Sequence, residues 1–494
     1  MAEADALFDV AVIGGGINGA GIAFDAAGRG ARVLLLEKGD LASGTSSSST
    51  KLIHGGLRYL EHYEFALVRE ALAEREVLWR LAPHAIQPLR LVLPVRGGTR
   101  PAWLLRAGLF VYDHLGGRRL LPPARTVRLG HHPAGQALKH GGLAFEYSDG
   151  WCDDSRLVVL NCRGAAARGA TILPRHPLGR AEVRDGRWHL TAGGRTFEAR
   201  ALVNAAGPGV ASVIEAAAAP DLPPLRLVRG SHIVVPALFR HGAGYFLQVG
   251  DGRIFFALPF ENDFTLIGTT DVDHPAGAPV TASEGEIDYL LSAANHWFKR
   301  PLVRSDVVHT FSGVRPLVAD PEGKPEAASR GYRFELSPQE AGPPLLTVLG
   351  GKLTAYRQLA EKAVDLLGTR VEAVSGPGWT AGARLPGGDF PVDGLGALAQ
   401  ELGWDYPFLG SGNALRIAKA YGTEARRWLG RARCWEDLGR HYGGGLSQAE
   451  ADWMRNEEWA TSAEDMLWRR SKLGLRIGHE GVRQLATDLG SKAA

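Results

Sequence analysis

The apolar pattern begins with Asp9–Ile13 (DVAVI), a short run that passes directly into Gly14-Gly15-Gly16. From Ile17 to Arg29 the spacing is helical. Ala20, Ala23, Ala26 and Ala27 are small enough for close packing, and Gly30 is placed to end the helix. A second apolar run, Val33–Leu36, ends in Glu37. Short apolar runs bounded by glycine read as buried strands, so this stretch predicts a compact β-α-β unit.

Downstream the pattern changes several times. Ser43–Thr50 is rich in hydroxyls, which by composition alone reads as a solvated loop. An amphipathic helix is expected near Glu64–Leu81, with Phe65, Val68, Leu72 and Trp79 on one face at spacings of 3, 4 and 7. Pro83, Pro88, Pro94 and Pro101 are expected to break up the next segment. A small antiparallel section is expected between about 170 and 205, closing with the strand Ala201–Asn204 and the junction NAAGPG. Strands and turns alternate over residues 225–310, as in LVRGSHIVVP, RIFFALPF and TLIGTTDVD. Leu345–Gly351 (LLTVLGG) is a further strand-glycine junction, followed by a helix from Lys352 to about Leu367. Gly, Pro and Trp punctuate residues 376–412, which read as a linker region. The remainder reads as helical, with N-terminal caps at Ser447…Glu450 and Thr461…Glu464 and no internal repeat.

Composition narrows the class. The 494 residues include 64 glycines, well above the usual share of roughly 7%. They follow no three-residue period, which excludes collagen. Apolar residues at 45% and charged residues at 22% exclude wholesale disorder. At roughly 100–200 residues per domain, about three units are expected. A net charge of +3 argues against a dedicated nucleic-acid binder. It leaves room for local basic patches facing an anionic membrane or substrate. Cys152, Cys162 and Cys434 form neither a CxxC pair nor a disulfide framework, and MAEADALFDV lacks a signal-peptide pattern. A reducing compartment is therefore expected. No apolar run approaches 18 residues, so no spanning helix is expected. His131-His132 has no neighbouring Cys or carboxylate at ligand spacing; it reads as a solvated loop, and no metal site is expected.

The first glycine cluster carries the chemistry. Gly14-x-Gly16-x-x-Gly19 sits between a predicted strand and a predicted helix, where backbone N–H groups can approach a pyrophosphate at a helix N-terminus. Glu37 closes the next strand, where a carboxylate would hold a ribose diol. This fingerprint serves NAD and FAD alike. Two features favour FAD. The hydroxyl-rich loop lies just beyond the ribose acid, where a pyrophosphate and ribityl chain must be followed. Asn204–Gly207 (NAAG) is a second strand-to-glycine junction far downstream, whereas a self-contained NAD domain would repeat a βαβ half sooner.

Together the motifs resemble one family, the FAD-dependent glycerol-3-phosphate dehydrogenases. The resemblance is carried by IGGGINGAGIAFDAAGRG (13–30), TSSSSTKLIHGGLRYLEHYEF (45–65), ALAEREVLWRLAPH (71–84) and RPAWLLRAGLFVYDHLG (100–116). It continues through EYSDGWCDDSRL (146–157), RGSHIVVP (229–236), IGTTDVD (267–273), SGVRPL (312–317), GGKLTAYRQLAEKA (350–363) and EEWATSAEDMLWRRSKLG (457–474). It covers nearly the whole chain. No long mid-chain insertion of the kind expected in the related oxygen-using oxidases is evident, which favours a dehydrogenase. The resemblance implies non-covalent FAD and oxidation of sn-glycerol 3-phosphate to dihydroxyacetone phosphate by hydride transfer to flavin N5. It further implies electron transfer to membrane quinone, peripheral attachment to the inner, cytoplasmic face of the cell membrane, and a homodimer. The alternatives are a glycerol-3-phosphate oxidase using oxygen, another glycine-oxidase-like amine or amino-acid flavoenzyme, and a non-catalytic nucleotide-binding protein.

Such a substrate brings a phosphate dianion and a secondary alcohol, so the site needs cations, a base and exclusion of water. Arg58, Arg315, Arg330 and Lys352 are the candidate cations; for any one of them, a solvated surface charge is the alternative. By resemblance, Arg330 and Arg58 hold the phosphate, while Arg315 and Lys352 lie nearer the glycerol backbone and the flavin edge. His232 is the leading candidate base, against the alternative of a histidine satisfied within its sheet. His54 and Tyr59 compete with it as proton acceptor or as orienting groups. Lys352 could also place positive charge near flavin N1. Gly14, Gly16, Ile17, Asn18 and Gly19 are the cofactor contacts expected in the first turn. Glu37 and Lys38 follow at the second strand, then Thr45, Ser46, Ser47 and Lys51. Gly55, Gly56, Ala206, Gly207, Gly351, Lys352, Leu353 and Thr354 complete the set.

The expected fold class is α/β, with a doubly wound, Rossmann-like FAD domain built from residues 1–80, 150–222 and 310–375. An antiparallel-sheet substrate domain is expected from 81–149 and 223–309, and an all-α C-terminal domain from 385–494. RPAWLLRAGLFVYDHLGGRR (100–119) mixes basic and aromatic residues, so it could lie in an anionic membrane surface or pack as a helix on its own protein.

Overall fold

The computed structural model describes residues 7–95, 101–117, 119–220, 222–249, 253–318 and 331–490. The apolar runs assemble into two large sheets. The first has the strand order Tyr332–Leu336, Leu345–Gly350, Arg195–Asn204, Leu7–Ile13, Val33–Leu36, Thr171–Leu173. All but Tyr332–Leu336 run parallel along this path, and Val33–Leu36 is fully buried, as strands covered on both faces require. Side chains alternate along the first strand. Val10 and Val12 join the core under the helices Ile17–Gly28, Asp154–Ala166 and Tyr356–Gly368. Ala11 and Ile13 face the opposite way, with Val213 and Ile214 of the helix Val210–Ala216. This is the doubly wound α/β architecture. Ile13 stands opposite both Leu36 and Asn204, and Leu36 opposite Leu173, so the carboxyl ends of four strands finish at one level.

The second sheet is built around Leu225–Pro236, which pairs antiparallel with Phe264–Gly268, Val272–Asp273 and His309–Val318. It extends through Ile254–Phe260 and Gly244–Gln248 to Ile86–Pro94, Leu143–Cys152 and Leu52–Ile53. Gly244–Gln248 and Ile86–Pro94 run parallel; the neighbouring pairs are antiparallel. His309–Val318 pairs over its whole length with this sheet, so a boundary at 310 would cut it off from its partner strand. Leu52–Ile53 likewise belongs here, inside the segment expected to serve the nucleotide sheet. Pro88 and Pro94 lie within a strand instead of breaking it, because proline's fixed φ suits extended backbone. In the helix Phe65–Leu81, Val68, Leu72 and Trp79 are buried, but Phe65 is 43% exposed.

The C-terminal unit has its own core, drawn from the helices Leu395–Asp405, Gly410–Tyr421, Gln448–Glu458 and His479–Asp488. It begins inside the stretch read as linker and includes a small ribbon, His441–Gly443 with Leu446–Ser447, so it is helical but not purely so. Ser447 Oγ accepts the Glu450 N–H as expected. The next cap is shifted by one residue: Ser462 Oγ accepts from Asp465 N–H, and Asp465 opens a π-helical turn to Arg470.

Candidate functional site

The first glycine turn sits where the strand ends meet. Gly14 N–H donates to Leu36 O at 2.8 Å, and Ala205 N–H donates to Ile13 O at 2.9 Å. Gly14 has φ +115°, and a Cβ there would lie 2.6 Å from Ala205 O. A Cβ on Gly19 would collide with the Gly14 carbonyl. Side chains are thus excluded from a cradle at the N-terminus of the helix Ile17–Gly28, where a dinucleotide pyrophosphate is favoured. Gly16 caps that helix without a side chain, and Ser46 Oγ accepts the Ile17 N–H at 3.0 Å. Asn18 Nδ2 donates to Gly350 O at 3.1 Å, while its buried Oδ1 has no protein partner among the described residues. Such an acceptor fits a polyol donor. Glu37 accepts Gly15 N–H and Gly39 N–H, each at 2.7 Å, and Lys38 lies exposed beside it. At the second junction Asn204 Oδ1 accepts from Ala206 N–H at 3.4 Å, and Gly207 adopts φ +57°.

The hydroxyl-rich loop is held structure. Thr45 Oγ1 donates to Val314 O at 2.6 Å, and Ser47 Oγ to Gly44 O at 3.4 Å. Asp154 accepts both the backbone and hydroxyl of Ser49. The Lys51 ammonium is buried and bonded to Asp154 Oδ1 at 2.7 Å and Ser47 O at 3.1 Å. Its charge is therefore paired inside the protein, where it shapes the loop expected to follow the cofactor. Paired buried carboxylates of this kind avoid an uncompensated charge.

A third group converges from segments about 300 residues apart. His54 N–H donates to Thr354 Oγ1 at 3.1 Å, and Thr354 Oγ1 donates back to His54 O at 3.3 Å. His54, Gly55, Tyr59, Lys352 and Thr354 line one pocket, with Lys352 Nζ 4.0 Å from the Tyr59 ring centroid. Gly56 and Gly351 take φ +74° and +103°. The helix expected from Lys352 begins at Tyr356 instead. Lys352 is extended, and Leu353–Ala355 form a short turn, which frees the lysine to project from the chain. Gly55 N–H donates to the Tyr112 hydroxyl, which donates to Asp149, itself paired with buried Arg75.

His232 lies on the neighbouring sheet, 1% exposed and stacked on Phe311 at 4.9 Å. Its Nε2 shares a hydrogen bond of 3.0 Å with Thr50 Oγ1, and its Nδ1 has no partner among the described residues. Burial, reinforced by Arg315 and Lys51, holds its pKa well below the ordinary 6.5, so the ring is neutral. Arg315, about one-third exposed, pairs with Asp271 and donates to Thr269 Oγ1 at 3.3 Å. The side chain of Arg58 and the whole of Arg330 lie outside the described residues. The sequence reading missed Thr50, Asp154, Asp271, Tyr112 and Asp149. Only the adjacent carboxylates Asp153-Asp154, which cap and open the helix Asp154–Ala166, could have drawn attention.

A model of the FAD-dependent oxidoreductases (DAO) matches residues 9–357. The chain belongs to that family. Its cofactor is FAD, in keeping with the glycine cradle and the orphaned Asn18 acceptor. This flavoprotein is 51% identical, over 95% of its length and 92% of the relative's, to a Pseudomonas aeruginosa "Glycerol-3-phosphate dehydrogenase". It is 49% identical to a Brucella abortus "D-erythritol 1-phosphate dehydrogenase", covering 97% of this chain and 96% of that one. Among solved structures it resembles the Bacillus halodurans glycerol-3-phosphate dehydrogenase complexed with FAD. There the TM-score is 0.74 at 29% identity, over 99% of this chain and 90% of that one.

No described helix of the flavoprotein is long and apolar enough to cross a membrane. The helix Ala102–Leu115 buries Leu109 and Tyr112 but leaves Trp103 71% and Phe110 56% exposed. It both packs on its own protein and presents an aromatic outer face.

Proposed function

We propose that this flavoenzyme oxidises sn-glycerol 3-phosphate to dihydroxyacetone phosphate and passes the electrons to membrane quinone. The observation that carries the reading is the pocket joining His54, Tyr59 and Lys352 beside the glycine cradle. It occurs in a chain about half identical to a glycerol-3-phosphate dehydrogenase. FAD, when bound, supplies the acceptor for the hydride leaving C2. Arg58 and Arg330 supply cations for the phosphate dianion by the two-pronged donor geometry of arginine, while Arg315 and Lys352 serve the glycerol backbone and the flavin edge. The neutral His232 is competent to accept the C2 hydroxyl proton, reaching it through Thr50 Oγ1, which already bonds Nε2. Tyr59 covers the Lys352 ammonium and helps exclude water. The outer face of Ala102–Leu115 docks the enzyme on the inner, cytoplasmic face of an anionic membrane, as a homodimer.

A second reading follows from the nearly equal similarity to the D-erythritol 1-phosphate dehydrogenase. That substrate shares the phosphate and adjacent secondary alcohol and is one hydroxylated carbon longer. Under anaerobic conditions glycerol 3-phosphate should bleach the visible absorption of bound FAD, and added quinone should restore it. No bleaching by glycerol 3-phosphate, with rapid bleaching by erythritol 1-phosphate, would replace the first reading by the second. Fast peroxide formation in air with no quinone reduction would make the enzyme an oxidase.

A further inference from the structure

We infer that the C-terminal unit is a clasp that retains FAD, acting through Arg469 and Arg470 on the loop that carries Glu37. The inference rests on Glu37 as the ribose-side acid. The loop 37–42 grips both sides of the Gly15 peptide: Glu37 Oε2 accepts the Gly15 N–H at 2.7 Å, and Ala42 N–H donates to Gly15 O at 3.0 Å. Asp40, in the middle of that loop, is 5% exposed. A carboxylate so buried must find charged donors or lose its place.

The donors come from the far end of the chain. Arg470 bonds Asp40 through both terminal nitrogens, at 2.7 and 2.8 Å, and Arg469 Nε donates to the same carboxylate at 2.7 Å. Arg470 is fully buried and also donates to Glu458 O, so the fork is locked to the helix Gln448–Glu458. Arg469 is fixed by Asp465 and Glu464. Two rigid arginines thus define where the 37–42 loop sits against the glycine turn.

A second strap reaches the hydroxyl loop. Lys472 Nζ donates to Asp153 Oδ1 at 3.0 Å and to Ser155 Oγ at 2.7 Å, on either side of the Asp154 that holds Ser49 and Lys51. Both straps act on cofactor segments and neither enters the candidate substrate pocket. The family match ends at residue 357, so the clasp is an addition outside the matched FAD-dependent oxidoreductase region.

The test measures FAD dissociation directly, by recovery of flavin fluorescence on dilution, together with melting of the apoprotein and holoprotein of the full chain. Arg469→Gln should weaken FAD binding about 10-fold, the scale of one lost charge-assisted hydrogen bond. It should also shrink the gain in Tm on adding FAD, while the apoprotein melts near wild type. Arg470→Met should lose more FAD. Should it fail to fold, Asp40→Asn, which keeps the shape of the acceptor, takes its place. Unchanged FAD affinity in Arg469→Gln and Asp40→Asn, with equal falls in apoprotein and holoprotein Tm, would reduce the contact to ordinary domain docking. Glu37→Gln separates the premise from the clasp: if it too binds FAD normally, the assignment of Glu37 has failed. A defective Glu37→Gln beside normal arginine variants overturns the clasp alone.

Discussion

The dinucleotide turn and the candidate substrate pocket are built on opposite principles. At the turn, recognition is left to backbone. Glycines at 14, 16 and 19 clear the way to a helix N-terminus, and strand ends in register hold the peptide groups in place. At the substrate site proposed above, recognition is left to side chains from four separate stretches: His54 with Tyr59 and Lys352 around one pocket, and His232 and Arg315 on the neighbouring sheet. The first arrangement tolerates no added atom, whereas the second tolerates substitution but loses charge or a proton acceptor. Damage to the turn should therefore appear as lost cofactor, and damage to the pocket as lost turnover with the cofactor intact.

Gly19→Ala tests the turn and should do the broadest damage, because a chain that has lost FAD has no turnover at all. The new Cβ must displace the Gly14 carbonyl, a backbone atom with no free volume to move into. A penalty of about 3 kcal/mol, at the upper end of overpacking costs, corresponds to roughly 100-fold weaker FAD binding. The purified variant should carry little flavin absorbance relative to its protein absorbance. A wild-type ratio would show that the cradle is not set by rigid backbone.

Lys352→Ala tests the other side. Removing a fixed cation from a site of developing charge costs about 100- to 1,000-fold in turnover. FAD content should be unchanged. Loss of FAD in parallel with activity would erase the distinction between the two regions, because Lys352 would then be a cofactor residue first.

The two principles also explain what could be read in advance. The β-α-β unit, the three-glycine spacing and Glu37 are local signals, all within a single stretch of chain, so they were legible. The burial of Lys51 was not legible because its partner, Asp154, is over 100 residues away, and a lysine beside a serine run looks the same whether buried or free. What fixes the hydroxyl loop was hidden for the same reason: the Val314 carbonyl and Asp154 that hold it are remote. The Arg469–Asp40 contacts join residues more than 400 positions apart and carry no local pattern. Arg315 and Lys352 were candidates by position and gained roles only through family resemblance, since single cations have no signature of their own.

His232, on the neighbouring sheet, sharpens the substrate side of the comparison. Its alanine variant should turn over about 100-fold more slowly, as for loss of a general base, with the KM for glycerol 3-phosphate little changed. Burial and the neighbouring positive charges hold its pKa well below 6.5, so the base-competent form is present throughout neutral pH. The wild-type pH profile of kcat/KM should therefore show no acid limb near 6.5 that belongs to this ring. Such a limb, abolished in His232→Ala, would mean that the imidazole is far more hydrated than its 1% exposure implies.

The smallest expected effect concerns a buried histidine outside both regions, and it keeps loss of fold apart from loss of chemistry at low pH. His84 is fully buried, and neither ring nitrogen has a partner among the described residues. Burial, with added repulsion from Arg156 and Arg163, pushes its pKa down to about 3. The unfolded chain takes up this proton below about 6.5. Between those two values the unfolded state binds more protons than the folded one, so stability falls as pH falls, by at most about 1.4 kcal/mol per pH unit. His84→Phe keeps an aromatic ring near Phe390 and removes the proton site. Between pH 7 and 5, at fixed FAD concentration, the wild type should lose about 2 kcal/mol more than the variant in urea unfolding. Parallel losses would move the origin of the acid sensitivity away from His84. The two buried imidazoles would then differ only in what surrounds them: His232 shares a hydrogen bond with Thr50 Oγ1, whereas neither nitrogen of His84 has a partner among the described residues.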